Sequence, residues 1–130
     1  MSQAKVIAEV EGIYTTRITT RNKFIIADEP IDSGGQDLGF TPVELLASSL
    51  ASCSGITLQM YIQRKNWEIR DLKVEVEVLN TEDQDVILNK QITFAGEVTE
   101  EQKKWLLLIA NRCPVHKILS KGIQITTKIN

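Results

Sequence analysis

The stretch from Thr41 to Trp67, TPVELLASSLASCSGITLQMYIQRKNW, constrains the fold more than any other, because it reads as one long helix with a cysteine at its middle. Thr41 and Glu44 are spaced as a capping box: the threonine side chain accepts from the amide three residues on, and the glutamate reaches back to the threonine amide. Pro42 falls at the first helical position, where its missing N–H costs nothing. No proline interrupts the pattern before about Arg64, so the helix would run roughly 35 Å at about 1.5 Å per residue. Ala47, Ser48, Ser49, Ala51, Ser52, Cys53, Ser54 and Gly55 form a collar of small residues between leucines on one side and Ile56, Leu58 and Met60 on the other. Small residues let another helix come close, and a mid-helix glycine costing about 1 kcal/mol usually has a packing or functional reason. Leu46, Leu50, Cys53, Thr57 and Met60 share one stripe, which places Cys53 inside a helix contact.

The segments on either side of this helix read as strands and shorter helices. Val6, Ala8 and Val10 alternate, Gly12 turns the chain, and the threonine-rich run from Tyr14 to Thr20 suits a pleated surface. Arg21, Asn22 and Lys23 make a tight reversal into FIIADE, completing a three-stranded meander. The loop IDSGGQDLGF then delivers the chain to the long helix, as a plain connector or as a mobile wall over a site. Downstream, Leu72, Val74, Val76 and Val78 alternate with Lys73, Glu75 and Glu77, the pattern of a strand with one wet face. That alternation makes Glu75 and Glu77 a solvated face, not paired catalytic carboxylates.

The acidic stretch Thr81 to Asp85 turns the chain, and VILNKQITFAGEV returns it with Ile92, Phe94 and Val98 on one side. A second capping box, Thr99 with Gln102, opens a helix that should end near Cys113 because Pro114 disfavours a helical residue before it. Pro114 starts a short helix closed by Gly122, and IQITTKI reads as a last strand. The order βββ-α-ββ-αα-β describes a single α+β domain over residues 1–130. A helix apolar or small around most of its circumference needs covering on more than one side, and a partner subunit could supply the second surface.

Composition limits the functional classes. At 42% apolar and 25% charged residues the chain has the balance of a folded domain. A net charge of −2 with no basic stripe argues against nucleic acid. The N-terminus lacks a signal pattern, and no apolar run approaches a membrane span, so a cytoplasmic protein without membrane insertion is expected. Two cysteines in such a chain are free, catalytic or redox-active, and with one histidine and no CxxC pair there are too few ligands for a structural zinc. No metal or cofactor is expected.

Cys113 precedes proline at a helix start, where exposed amides and the helix dipole favour a thiolate. Cys53, in mid-helix, needs a cation brought by another segment, and Arg17 and Arg21 are candidates. His116 stands three residues after Cys113, as the base of a Cys–His pair would, but a lone histidine on a short amphipathic helix is more often a satisfied or surface residue.

The run DEPIDSGGQDLGFTPVELLASSLASCSGITLQMYIQRKNW, followed downstream by CPVHKIL, resembles the OsmC/Ohr family of osmotically inducible and organic hydroperoxide resistance proteins, over essentially the whole chain and in the same element order. The resemblance implies an intertwined homodimer whose long helices pack centrally between two antiparallel sheets. It implies a thiol peroxidase that reduces organic hydroperoxides and, less efficiently, hydrogen peroxide, with an external dithiol or lipoyl-type reductant. By position, Cys53 matches the peroxidatic cysteine and Cys113 the resolving one, which reverses the local ranking of the two thiols.

Two departures stand out. Where the hydroperoxide-resistance branch has a glutamate directly after the helix-opening proline, this chain has Val43; where that branch has its arginine after the hairpin glycine, it has Ile13 and Tyr14. At roughly 100° per residue, Val43 returns to within about 80° of the face of Cys53, whereas Glu44 lies about 180° away and is better explained by the capping box. Arg17 or Arg21 would substitute for the arginine by reaching across the dimer. The alternative is a dimer that keeps the fold and binds a small acyl or lipid-like ligand, or senses redox state through the same disulfide.

Overall fold

The computed structural model describes residues 3–130. These residues divide into two compact units, one reaching to Leu46 and the other Ala47–Asn130.

In the N-terminal unit, β1 (Ile7–Val10), β2 (Thr16–Thr20) and β3 (Lys23–Ala27) form an antiparallel sheet in the order β1-β2-β3, the expected meander. The reversal between β2 and β3 places Arg21 in the left-handed region, at φ 54°. Beyond β3 the chain is tied down by Asp28, which is only 2% exposed. Its carboxylate accepts from the Thr15 hydroxyl at 2.8 Å and from the amides of Glu29 (2.8 Å), Leu38 (3.4 Å) and Gln36 (3.5 Å). The loop from Ile31 to Phe40 is therefore a connector wrapped around a buried anion. Gly35 allows the wrapping, since a Cβ there would collide with the Glu29 carbonyl.

Helix α1 (Pro42–Lys65) opens on the expected capping box: Thr41 N donates to Glu44 Oε1 at 2.8 Å, and Glu44 N donates to Thr41 Oγ1 at 3.1 Å. It is long and apolar enough to cross a membrane by length and composition, which corrects the reading that no run approaches such a span. The core helix of a globular protein meets the same two criteria.

In the second unit α1 is followed by β4 (Arg70–Asn80), β5 (Val86–Ala95), α2 (Glu100–Ala110) and α3 (Pro114–Lys121). The strands β4 and β5 pair as an antiparallel hairpin around the Thr81–Asp85 turn, and the alternation of β4 holds: Leu72, Val74, Val76 and Val78 are half-buried, Glu75 and Glu77 exposed. Leu58, Ile62, Ile69, Leu106 and Ala110 form the core, with Val74, Ile92 and Phe94 packed against it.

The buried residues of α1 are Leu50, Ser54, Leu58 and Ile62, one position round from the stripe of Leu46, Leu50, Cys53, Thr57 and Met60, of which Leu46 and Met60 are exposed. A helix apolar on nearly every side carries little directional preference, so the elements packed against it select the face.

Two further expectations are corrected. Helix α2 ends at Ala110, not near Cys113, because Cys113 is the extended N-cap of α3 (φ −66°, ψ 146°) and the intervening residues must turn. The last strand is not formed: residues 123–130 join neither sheet, and Ile125 is 83% exposed. Alternation specifies a face, but a strand also needs an edge to which its N–H and C=O groups can bond.

Candidate active site

The start of α3 is the centre of the site. An α-helix leaves its first amides without intrahelical partners, and an N-cap side chain ordinarily satisfies one of them. Here a cysteine takes the place of the usual serine or threonine. Cys113 Sγ accepts from His116 N at 3.4 Å, while Val115 N, one position earlier, donates to Cys53 Sγ at 3.5 Å. Successive amides of one helix turn thus end on the two sulfurs, and Pro114 contributes none. This places Cys53 in the helix contact expected for it.

Both cysteines are free. Cys113 is completely buried, whereas Cys53 is half-buried. Beside Cys53 on α1, Ser54 is also completely buried, and its hydroxyl lies 3.3 Å from Cys113 Sγ. The two thiols are close enough for each to shift the ionisation of the other. Cys53 faces an open cleft of about 470 Å³ lined by Ser52, Ile56, Thr57, Met60, Pro114 and Val115, a largely apolar wall.

The cation beside this pair is Lys90, which sequence reasoning did not single out. Strand β5 turns Leu88, Lys90, Ile92 and Phe94 to the same, partly buried face. Parity was the available signal: with Ile92 and Phe94 assigned inward, Lys90 must follow them. Its ammonium donates to the Ala110 carbonyl at 2.8 Å and to His116 Nδ1 at 3.1 Å. The first contact caps the C-terminus of α2, whose last turn carries no basic residue of its own. The second assigns His116 as the neutral tautomer with its proton on Nε2. His116 meets Cys113 through its backbone amide while its ring serves Lys90, so it is not the base of a Cys–His pair.

The electrostatics separate the two sulfurs. Burial works to raise the Cys113 pKa, but the Ser54 hydroxyl, the His116 amide, the Cys53 thiol and the Lys90 charge together bring it below that of an ordinary thiol. Burial raises the Cys53 thiol, and the neighbouring Cys113 raises it further against the smaller opposing effects of the Val115 amide and Thr57. Burial depresses the pKa of Lys90, with the two thiols acting in the opposite direction, and burial and then Lys90 depress that of His116.

The other residues singled out from the sequence lie in the N-terminal unit. Glu44 serves the capping box. Arg17, in β2, stacks its guanidinium 3.8 Å over the Phe24 ring, and Arg21 forms the turn after β2. Val43, Ile13 and Tyr14 are exposed.

Comparison with known proteins agrees with this architecture. A family model described as OsmC-like protein matches residues 34–128. An uncharacterized protein of Mycobacterium tuberculosis is 27% identical over 127 residues, covering 89% of this chain and 87% of its own. Among solved structures, a provisionally assigned osmotic stress induced and detoxification response protein from Psychrobacter arcticus is 30% identical, with a TM-score of 0.75 over 90% of this chain and 87% of that one. The organic hydroperoxide resistance protein OhrB of Bacillus subtilis shares the fold at 23% identity, with a TM-score of 0.58 over 89% of each chain. With a mixed α+β fold and a family match over most of its length, the chain belongs to the OsmC-like protein family.

Proposed function

We propose that this protein is a thiol-dependent peroxidase that reduces organic hydroperoxides, and hydrogen peroxide less efficiently. The observation that carries the reading is the stacking of two free thiols at one helix start, with Cys53 open to an apolar cleft and Cys113 buried directly behind it. Only the outer sulfur can meet a substrate, and the apolar wall suits an alkyl or aryl peroxide. The Cys53 thiolate attacks the terminal peroxide oxygen; an S–O bond forms, the O–O bond breaks, and the alkoxide leaves as alcohol once protonated. The Cys113 thiolate then attacks the Cys53 sulfur of the sulfenic acid, forming the disulfide and releasing hydroxide, which takes up a proton as water. An external dithiol, of lipoyl or similar type, returns both thiols.

The working form in this reading is a cytoplasmic homodimer. Ile56 and Met60 on the exposed face of α1, and Ile123, Ile125 and Ile129 at the unpaired C-terminus, support it, because such residues gain most from a second copy. Arg17 or Arg21 is proposed to hold the peroxide oxygens in that assembly.

The upward shift of the Cys53 pKa favours a second reading, a dimer that binds a small acyl or lipid-like ligand or senses redox state. The two are separated by mixing reduced protein with one equivalent of cumene hydroperoxide or hydrogen peroxide and following thiol loss and intact mass. The peroxidase predicts rapid loss of two thiols in wild type, a sulfenic acid or its overoxidised products in Cys113→Ser, and an inert Cys53→Ser. Slow oxidation unchanged by either substitution selects the second reading.

A further inference from the structure

We propose that Ser54 is a positioning residue for the reductive half of the cycle: its hydroxyl holds Cys113 as the leaving thiolate when an external dithiol opens the Cys53–Cys113 disulfide. This role deepens the peroxidase reading and rests on it for the disulfide itself.

The direction of reduction follows from burial. Cys53 lines the cleft, whereas Cys113 is completely buried behind it. A reductant entering the cleft meets only the outer sulfur, so the inner sulfur must carry away the electron pair of the broken bond. Thiol–disulfide exchange is faster when the departing thiol is the more acidic, so a group that stabilises charge on Cys113 speeds this step.

Two donors stand at that sulfur. The Ser54 hydroxyl lies 3.3 Å from Cys113 Sγ, and the His116 amide donates to it at 3.4 Å. A departing thiolate has no proton to give, so the hydroxyl is the donor in the Ser54 contact. Ser54 is completely buried, which shields that bond from bulk water. Hydrogen bonds to an anion are stronger than those to a neutral group, and a disulfide sulfur is a weak acceptor, so the contact favours the open, reduced form. Ser54 follows Cys53 directly on α1, and one rigid stretch of helix therefore carries both the sulfur that is attacked and the hydroxyl that receives the charge. The acidity of Cys113 agrees: burial opposes its ionisation most, and the Ser54 hydroxyl is the largest influence in the other direction.

In this step a thiolate of the dithiol attacks Cys53 Sγ. A new S–S bond forms there, the Cys53–Cys113 bond breaks, and its electron pair stays on Cys113. The second thiol of the reductant loses its proton, closes on its own mixed-disulfide sulfur and releases Cys53 as a thiolate. Two electrons pass from dithiol to protein, and the reductant departs as a cyclic disulfide.

Diamide makes the protein disulfide without peroxide, and the test follows its reduction by dithiothreitol in wild type and Ser54→Ala. The rate constant should fall about fivefold, part of the loss expected for one hydrogen bond to a full anion. In the Cys53→Ser background the same substitution should raise the Cys113 titration midpoint read by ultraviolet absorbance. A hydroxyl that only packs would change thermal stability and leave the reduction rate where it was, and that result overturns the proposal. Should Ser54→Ala fail to fold, wild type offers a second measurement. Glutathione, a monothiol, should leave its mixed disulfide on Cys53 with Cys113 free, as located by peptide mass after acid quenching. A mixed disulfide on Cys113, or failure of diamide to join the two cysteines, sinks the proposal. Ser54-dependent reduction in a protein that consumes no peroxide leaves the role of Ser54 standing and removes the peroxidase. Peroxide turnover with Ser54-independent reduction does the reverse.

Discussion

Asp28 and Cys113 are both buried acids, one in each unit, and the molecule treats them in parallel up to one point. Each receives a hydroxyl, from Thr15 or Ser54, and backbone amide donors from a tight turn or helix start. For Asp28 that is enough: burial opposes its ionisation, but the Thr15 hydroxyl and three amides outweigh burial and hold the carboxyl below its usual range. A carboxylic acid ionises near 3.9 without help, whereas a thiol does so near 8.5, so the same kind of dipoles has further to carry the second. The thiol site adds Lys90. Fixed dipoles do most of the work at both acids, and at the thiol a cation adds the smallest share.

The same contrast separates what holds each unit together, and substitutions can break it. The largest effect is expected at Leu58, completely buried in the core of the second unit. Leu58→Ala should cost about 2–5 kcal/mol in urea unfolding, with nearly the same loss in acid and at neutral pH, because cavity formation involves no proton. A loss that disappeared in acid would assign this unit to electrostatics as well.

Asp28→Asn should lower the melting temperature by several degrees at neutral pH, less than Leu58→Ala does. The folded-state pKa of Asp28 is depressed, so its contribution is complete above the ordinary carboxylate value near 3.9 and is lost as pH falls through the lower, folded value. Wild type and variant should therefore converge in acid, and a gap that stays constant would mean that shape, not charge, holds the loop.

Ser54→Ala sharpens the thiol side. It removes the hydroxyl beside the inner sulfur and leaves the lysine, so in the Cys53→Ser background the Cys113 titration should move upward, and by more than in Lys90→Met. A larger movement in Lys90→Met would make the cation, not the hydroxyl, the main device. The smallest effect is expected at Glu75, exposed on β4 and 4.0 Å from an equally exposed Lys73. Glu75→Gln should change stability by no more than about 0.5 kcal/mol and leave thiol oxidation untouched, and slowed oxidation would show that the alternation on β4 hides a functional carboxylate.

Local chemistry was readable along the chain. Thr41 with Glu44, and Thr99 with Gln102, announced two helix starts, Pro114 announced the third, and valines alternating with charges announced β4 and its wet face. These signals work because a cap or an alternating strand is specified by residues a few positions apart. The family pattern also marked the two cysteines. Neither reading selected Lys90, Ser54 or the role of the His116 ring, although the parity of β5 carried the hint for Lys90.

By itself, then, the sequence determined the order of elements, the meander, the helix starts and which residues bear sulfur. The tertiary structure decided which face of α1 is buried, that IQITTKI stays unpaired in a single chain, and that a lysine from β5 stands at the corner between α2 and α3 beside a cysteine cap. A helix apolar on most sides has no preferred face until something packs on it, and a strand is not one until an edge accepts it. A buried charge is set by neighbours that folding brings together from distant positions, and no local pattern encodes that meeting.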